Sequence, residues 1–302
     1  MRKKVLSRKT RDNISGILFV TLPALGLFIF VGIPLIFSLF YSFARQNPGS
    51  TNLLDVTMVG FTNYSRILMD KDFYKTILLS FVYSIGTSFF QTLFALLLAF
   101  FLSKKLKGNT LIRIILFIPY VCSVVAISFI WQNILDKNFG LLNLVLNSMN
   151  LPSIDWRRTT ASTITFMILM SVWSGLGYGT ILYSASLSSV DNSYYEAADV
   201  LGANGWQKFW RITFPAISPT TFFLLVMGMI GNLQAFANFQ IMAGEDNVLT
   251  MVHYVWFYGF KSDAATYGMT YASAAGWIVG AIIIIFTIIM FRLQKYWVHY
   301  EN

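Results

Sequence analysis

Residues 267–291 read YGMTYASAAGWIVGAIIIIFTIIMF, a stretch without a single Asp, Glu, Lys, Arg or His. A helix needs about 20 apolar residues to cross a hydrocarbon core roughly 30 Å thick, where every backbone N–H and C=O must be paired inside the segment. This stretch therefore predicts a membrane-spanning helix. Five more runs meet the same test, at 14–43, 76–103, 114–133, 159–187 and 215–243, and none of them holds an ionisable Asp, Glu, Lys, Arg or His. The expected fold is an all-α membrane protein of about six transmembrane helices.

Composition agrees. The 302 residues are 56% hydrophobic and only 12% charged, about half the charged fraction of a soluble domain. The net charge of +9 does not indicate a nucleic-acid partner, because the basic residues lie in short loops rather than in one patch. Cys122 stands alone inside an apolar run, which gives neither a disulfide framework nor metal-ligand spacing and predicts a buried small residue. The first run follows six basic residues, as a secretory signal does, but is far longer than the 7 to 15 apolar residues of a signal. It reads as a retained helix, kinked or tilted where Pro23 and Pro34 each remove a backbone donor.

Six crossings place both termini on one side. With the termini inside, the inner segments hold 14 of the 22 Lys and Arg, whereas eight acids offset the eight basic residues of the outer loops. The positive-inside rule then puts both termini in the cytoplasm. The expected organisation is a basic cytoplasmic N-terminus at 1–13, a first transmembrane helix at 14–43, an outer loop at 44–75, a five-helix domain at 76–291 and a cytoplasmic tail at 292–302. In the outer segments, Gly60-Phe61-Thr62-Asn63-Tyr64 precedes a polar helical stretch that leads into the second span. Asn138 to Asn143 marks a turn into a short amphipathic helix, and the apolar piece 252–260 is too short to cross and suits an interfacial helix.

Between the fourth and fifth spans lies DNSYYEAADVLGANGWQKFWRITFPAISP, residues 191–219. Ser193 followed by Glu196 fits a capping box, starting a short helix that Gly202 can break. A second short helix over 206–213 is expected to stop at Pro215, so that the two make a knob outside the membrane. By spacing alone, the same signals equally fit an ordered loop without a partner.

The run Glu196-Ala197-Ala198, Gly202-Ala203, Phe209, Ile212, Pro215 and Pro219 resembles the EAA signature of permease subunits in binding-protein-dependent ABC importers. A first span with prolines, the Gly60 to Tyr64 piece, the turn Gly140-Leu141-Leu142-Asn143 and the Tyr296 to Tyr300 ending are similar to the sugar and oligosaccharide branch, of the maltose-importer type. One departure stands at Ala243-Gly244-Glu245-Asp246, where that branch often has Gly-Gly-Pro. The resemblance implies that Glu196, Ala197, Ala198 and Gly202 form a coupling helix docking on a separate ATPase subunit. It also implies a second homologous permease, two ATPase subunits that bind ATP and Mg, an extracytoplasmic solute-binding protein and residence in the bacterial cell membrane as a multi-pass protein. This chain itself would hold no cofactor and would not be an enzyme.

The residues themselves limit the energy source. The uncharged spans offer none of the intramembrane ionisable groups that proton-coupled carriers use, and the chain lacks a GxxxxGK[ST] phosphate loop. An active transporter of this sequence must therefore be powered by a partner; a passive channel or a secondary carrier for a neutral polar solute is the alternative. Asn232, Gln234, Asn238 and Gln240 in the fifth run, with Trp173, Tyr178 and Tyr183 in the fourth and Tyr83 and Gln91 in the second, are the candidates for a substrate pathway. Gln234 and Asn238, four apart, would share a helix face. Amides and aromatic faces suit sugar hydroxyls and C–H surfaces, although each such residue alone also fits interhelical packing.

Overall fold

A computed structural model describes residues 8–47, 55–103, 108–244, 247, 249–261 and 268–299, with side chains from Gly16 onward. The expectations that fall on the first seven residues, on Lys104, Lys105 and Lys107, on Glu245 and Asp246, and on Tyr300 lie outside the described residues. The chain forms two compact units, residues 1–69 with 258–278, and residues 70–257 with 279–302.

The first unit begins with α1 (Arg8–Leu27), a wide π-turn (Phe28–Gly32) and α2 (Ile33–Ser42). The π-turn lies where Pro34 has no N–H for the Phe30 carbonyl, and Ile33 N instead bonds back to Phe28 O. Its strands β1 (Ala44–Gln46) and β2 (Val56–Met58) pair antiparallel, Ala44 opposite Met58, and α3 (Thr62–Met69) follows. Buried Asn63 donates through Nδ2 to Ser42 O (3.1 Å) and Ala44 O (2.8 Å), while Tyr64 donates to Ser42 Oγ at 2.7 Å. The Gly60 to Tyr64 piece thus supplies the donors for carbonyls left open where the first helix ends.

The second unit is a helical bundle. Its elements are α4 (Lys71–Ser103), α5 (Asn109–Val121), α6 (Val124–Ile134), α7 (Leu141–Ser148), α8 (Thr160–Ser188), α9 (Asn192–Val200), α10 (Gly205–Lys208), a π-turn (Phe209–Thr213), α11 (Phe214–Leu233), α12 (Ala237–Ala243), the start of α13 (Met251–Phe260) and the later part of α14 (Gly268–Leu293). Among the described residues five helices are long and apolar enough to cross a membrane, or six if α5 and α6 count as one span.

Two spans differ from the expectation. The third is not straight: α5 and α6 meet at 98°, because Cys122 adopts an extended backbone (φ −70, ψ 148) three residues after Pro119 has removed a helix donor. Cys122 is exposed at this bend rather than buried. The fifth run breaks after Leu233, and α12 restarts at Ala237, so Gln234 and Asn238 do not share a helix face.

Small and hydroxylated side chains bring the bundle's backbones together, as they do where lipid gives no hydrophobic drive to association. Ser84 of α4 donates to Met229 O of α11 at 3.0 Å, and Met251 N donates to Ser80 Oγ at 2.9 Å. A Cβ on Gly177 of α8 would lie 2.3 Å from the Leu116 carbonyl of α5, so that crossing exists only with glycine there. Outside the long helices, buried Asn143 orders residues 136–156. Its Nδ2 lies 2.9 to 3.1 Å from the carbonyls of Asp136, Lys137 and Ile154, and its Oδ1 accepts from Ile154 N (3.0 Å) and Trp156 Nε1 (3.2 Å).

Candidate translocation cavity and coupling segment

The breaks in the third and fifth spans open a cavity of about 690 Å³ within the second unit. Tyr83 and Gln91 of α4, Tyr120 of α5, Tyr178 of α8, Asn232 of α11 and Gln234 just beyond its end contribute to its wall, and no charged side chain lines it. The Tyr120 and Tyr178 rings are stacked, with centroids 4.9 Å apart and planes 11° from parallel. Ser171, Ser174, Gly175 and Tyr178 all reach it from α8, a 3.6-residue spacing legible in the sequence once the cavity is known. Tyr120 carries no such signal, because the bend that turns it inward is not visible in hydropathy.

The predicted pathway residues separate on contact with the structure. Asn232, Gln234, Asn238 and Tyr178 line the cavity, whereas Gln240 and Trp173 are not part of its wall. Tyr183 is fully buried and donates to Thr221 Oγ1 at 3.0 Å, which makes it a packing residue. Asn238 is committed on both sides: its Nδ2 donates to the Tyr83 hydroxyl (3.1 Å) and its Oδ1 accepts from Phe239 N (3.1 Å). The same Tyr83 hydroxyl lies 2.7 Å from Ser171 Oγ. Gln91 spends one donor on Gly175 O (3.2 Å) and Asn232 donates to Ser88 Oγ (3.1 Å), leaving their amide oxygens to the cavity. Gln234 is exposed there, and its side-chain amide has no partner among the described residues. A Cβ on Gly175 would come within 2.2 Å of the Gln91 amide nitrogen, so the absence of a side chain at 175 is what lets Gln91 lie along this wall.

On the segment between the fourth and fifth spans, the helix cap is Asp191, whose side chain accepts from Ser193 N at 2.9 Å. The expected Ser193/Glu196 capping box does not form, since Asp191 lies two residues earlier and its carboxylate takes the free N–H first. That hydrogen bond holds the Asp191 carboxyl below its ordinary range. Glu196 is exposed and has no hydrogen-bond or ion-pair partner among the described residues. Gly202 ends α9 in the left-handed region at φ +74; Ala203 N bonds to Ala198 O (2.9 Å) and Gly202 N to Asp199 O (3.0 Å), the Schellman pattern.

The second helix of the knob does not stop at Pro215. After a reciprocal cap between Asn204 and Gln207 (2.9 Å each way), α10 passes through the π-turn directly into α11, a single 29-residue span candidate. The wide turn, in which Phe214 N bonds to Phe209 O, accommodates Pro215 next to it. The missed signal is Asn-x-x-Gln at 204–207. Lys208 Nζ donates to Asp199 Oδ1 at 2.7 Å, and the Tyr195 hydroxyl lies 2.9 Å from Thr213 Oγ1, so α9 is tied to the base of the span. Ala197, Ala198 and Gly202 line one concavity of about 430 Å³, with Leu201, Lys208 and Arg211. Glu196 lies outside it. Val200 and Leu201 project beside the turn, 88% and 86% exposed.

Apolar helices around an uncharged cavity, with an exposed helical hook continuous with one of the cavity-lining spans, define a multi-pass membrane permease. The chain belongs to the binding-protein-dependent transport system inner membrane components, whose family model matches residues 91–299. It is 32% identical over 306 residues to the probable ABC transporter permease protein YesP of Bacillus subtilis, covering 100% of this chain and 96% of that protein. It is 30% identical over 261 residues to the arabinooligosaccharides transport system permease protein AraP of Halalkalibacterium halodurans, covering 84% of this chain and 79% of AraP. The fold matches a bacterial alginate ABC transporter solved with an alginate pentasaccharide-bound periplasmic protein, at a TM-score of 0.79 and 20% identity over 95% of this chain and 96% of that one.

Proposed function

We propose that this permease conducts a neutral sugar or oligosaccharide inward through the 690 Å³ cavity, delivered by an extracytoplasmic binding protein and powered by ATPase subunits that dock on α9. The observation that carries the reading is the cavity wall, where a stacked tyrosine pair and amide oxygens stand without any charge. Sugar C–H faces pack on aromatic rings, and hydroxyls need both donors and acceptors, which Gln234 supplies from one side chain. The solved transporter of the same fold imports an acidic polysaccharide, but an uncharged wall gives no counter-charge for a uronate and favours a neutral substrate. The name of AraP supports an oligosaccharide.

Glu196, Ala197, Ala198 and Gly202 are proposed as the coupling surface. Ala197 and Ala198 allow close approach, Glu196 offers an unspent carboxylate, and the Gly202 turn presents both. Because α10 continues into α11, a push on α9 is passed through the Asp199–Lys208 and Tyr195–Thr213 contacts to a helix that carries Asn232 and is capped by Gln234. A second permease completes the pathway, and ATP and Mg belong to the ATPases. The test is uptake into proteoliposomes holding the permease pair, ATPases and binding protein. Uptake of a neutral oligosaccharide should require internal ATP; equal uptake without ATP would make the protein a channel or secondary carrier and end this reading.

A further inference from the structure

A second concavity, separate from the transport cavity, runs along the outer face of α5. It has a volume of about 620 Å³ and extends from Thr110 and Arg113 at one end to Val121 and Cys122 at the other. Twelve residues of helix span about 18 Å, close to one leaflet of a core roughly 30 Å thick. Ile114, Ile118 and Val121 form its floor at 54%, 56% and 70% exposure, and Ile181 of α8 adds a wall. Arg113 is the one charged residue lining it. Its Nε is buried without a hydrogen-bond partner among the described residues, and the preceding segment from 104 to 112 contains three lysines and no acid.

We infer that this groove holds one anionic phospholipid, with its phosphate on the Arg113 guanidinium and an acyl chain along Ile114, Ile118 and Val121. Arg113 lies one turn into α5, whose Asn109 Nδ2 donates to Leu102 O at the end of α4 (2.8 Å), and Phe100 near that end lies against Phe209 of the π-turn with ring centroids 5.6 Å apart. The coupling segment is on the same side, so the headgroup lies in the leaflet beside it. The Arg113 guanidinium, whose Nε no described residue serves, brings a positive charge and charge-assisted N–H donors to an apolar wall, where the oxygens of a tetrahedral phosphate accept them. A groove of leaflet length with charge only at the interface fits a phospholipid rather than a soluble phosphate.

The test reads bound lipid rather than transport, so it can fail while the importer reading stands. The permease, purified with its co-purifying subunits from nanodiscs of phosphatidylcholine and phosphatidylglycerol, is released for native mass spectrometry. Retention of about one phosphatidylglycerol per copy is expected, reduced about fivefold by Arg113→Gln, which removes one surface cation's attraction. Arg113→Lys should keep most of it, and Ile118→Trp, which fills the groove without touching the charge, should lose it. Equal retention in wild type, Arg113→Gln and Ile118→Trp would overturn the assignment, as would equal retention of phosphatidylcholine. Cross-linking from Cys122 to a second membrane subunit in high yield would overturn it too, by showing protein where the lipid is placed.

Discussion

Lys208 Nζ donates to Asp199 Oδ1 at 2.7 Å, joining the two sides of the Gly202 turn. The carboxylate side is largely in water, with 62% of the Asp199 side chain exposed against 24% for Lys208. Such a pair contributes only about 0.2 to 1 kcal/mol, so its value lies in geometry. Lys208→Ala is expected to lower the thermal midpoint slightly, and a double-mutant cycle with Asp199→Asn should return a coupling of about 0.5 kcal/mol that fades at high salt.

Gly202 is a different case, because its φ of +74 costs any residue with a Cβ roughly 1–2 kcal/mol. No neighbour lies within 4 Å of a Cβ built there, so the strain is purely of the backbone. Gly202→Ala should leave the spans folded while loosening α9, and Glu196→Ala should leave even α9 intact. Under the coupling reading, both variants keep membrane levels near wild type and lose substrate-stimulated ATP hydrolysis together with uptake. Normal uptake in Glu196→Ala would remove that residue from the coupling surface.

The Asp191 cap predicts a pH dependence with a definite sign. Its carboxyl is held below the ordinary value of 3.8 by the bond from Ser193 N. A lowered folded value means the contribution is whole at neutral pH, begins to fade near the ordinary value and is lost as pH falls through the folded one. Amide exchange at Ser193, corrected for the intrinsic rate, should therefore lose protection only in acid. Asp191→Asn still caps and should show protection without that acid loss.

Hydropathy reveals how many apolar segments exist but is blind to where a backbone bends inside one. The breaks at Cys122 and after Leu233 lie inside runs without a charge, and Pro119 hints at only the first. These breaks make the cavity, so amide and aromatic chemistry could be anticipated at Asn232, Gln234 and Tyr178 while the partnership with Tyr120 could not. The α9 turn was legible because Gly202 carries its own conformational signature. Its cap was not, because Asp191 and Ser193 are both good N-caps two residues apart.

Asn143 illustrates a residue whose importance is invisible without its partners. Two amide hydrogens serve three carbonyls in turn, and its oxygen takes two donors. Asn143→Ala would strand those groups at a fully buried position, costing about 3 kcal/mol. Asn143→Asp keeps the two accepted bonds but sets a second carboxylate oxygen against three carbonyl oxygens at this buried site, so a melt should rank wild type first with both variants well below it.

Gln234 and Asn238 give the sharpest separation between packing and transport. Both line the cavity, yet Asn238 is buried and bonded on both sides to Tyr83 and Phe239. Removing it leaves the Tyr83 hydroxyl short of a donor, so Asn238→Ala should cost about 1–3 kcal/mol of stability. Gln234→Ala removes nothing that the folded chain uses, and its melt should stay within about 0.5 kcal/mol of wild type. If sugar hydroxyls meet this wall, Gln234→Ala should still raise the substrate concentration for half-maximal uptake several-fold, about 1 kcal/mol for one lost hydrogen bond. A Gln234→Ala permease that matches wild type in both melt and uptake would take the substrate path away from the fifth-span break, leaving Tyr120 and Tyr178 as the residues to test next.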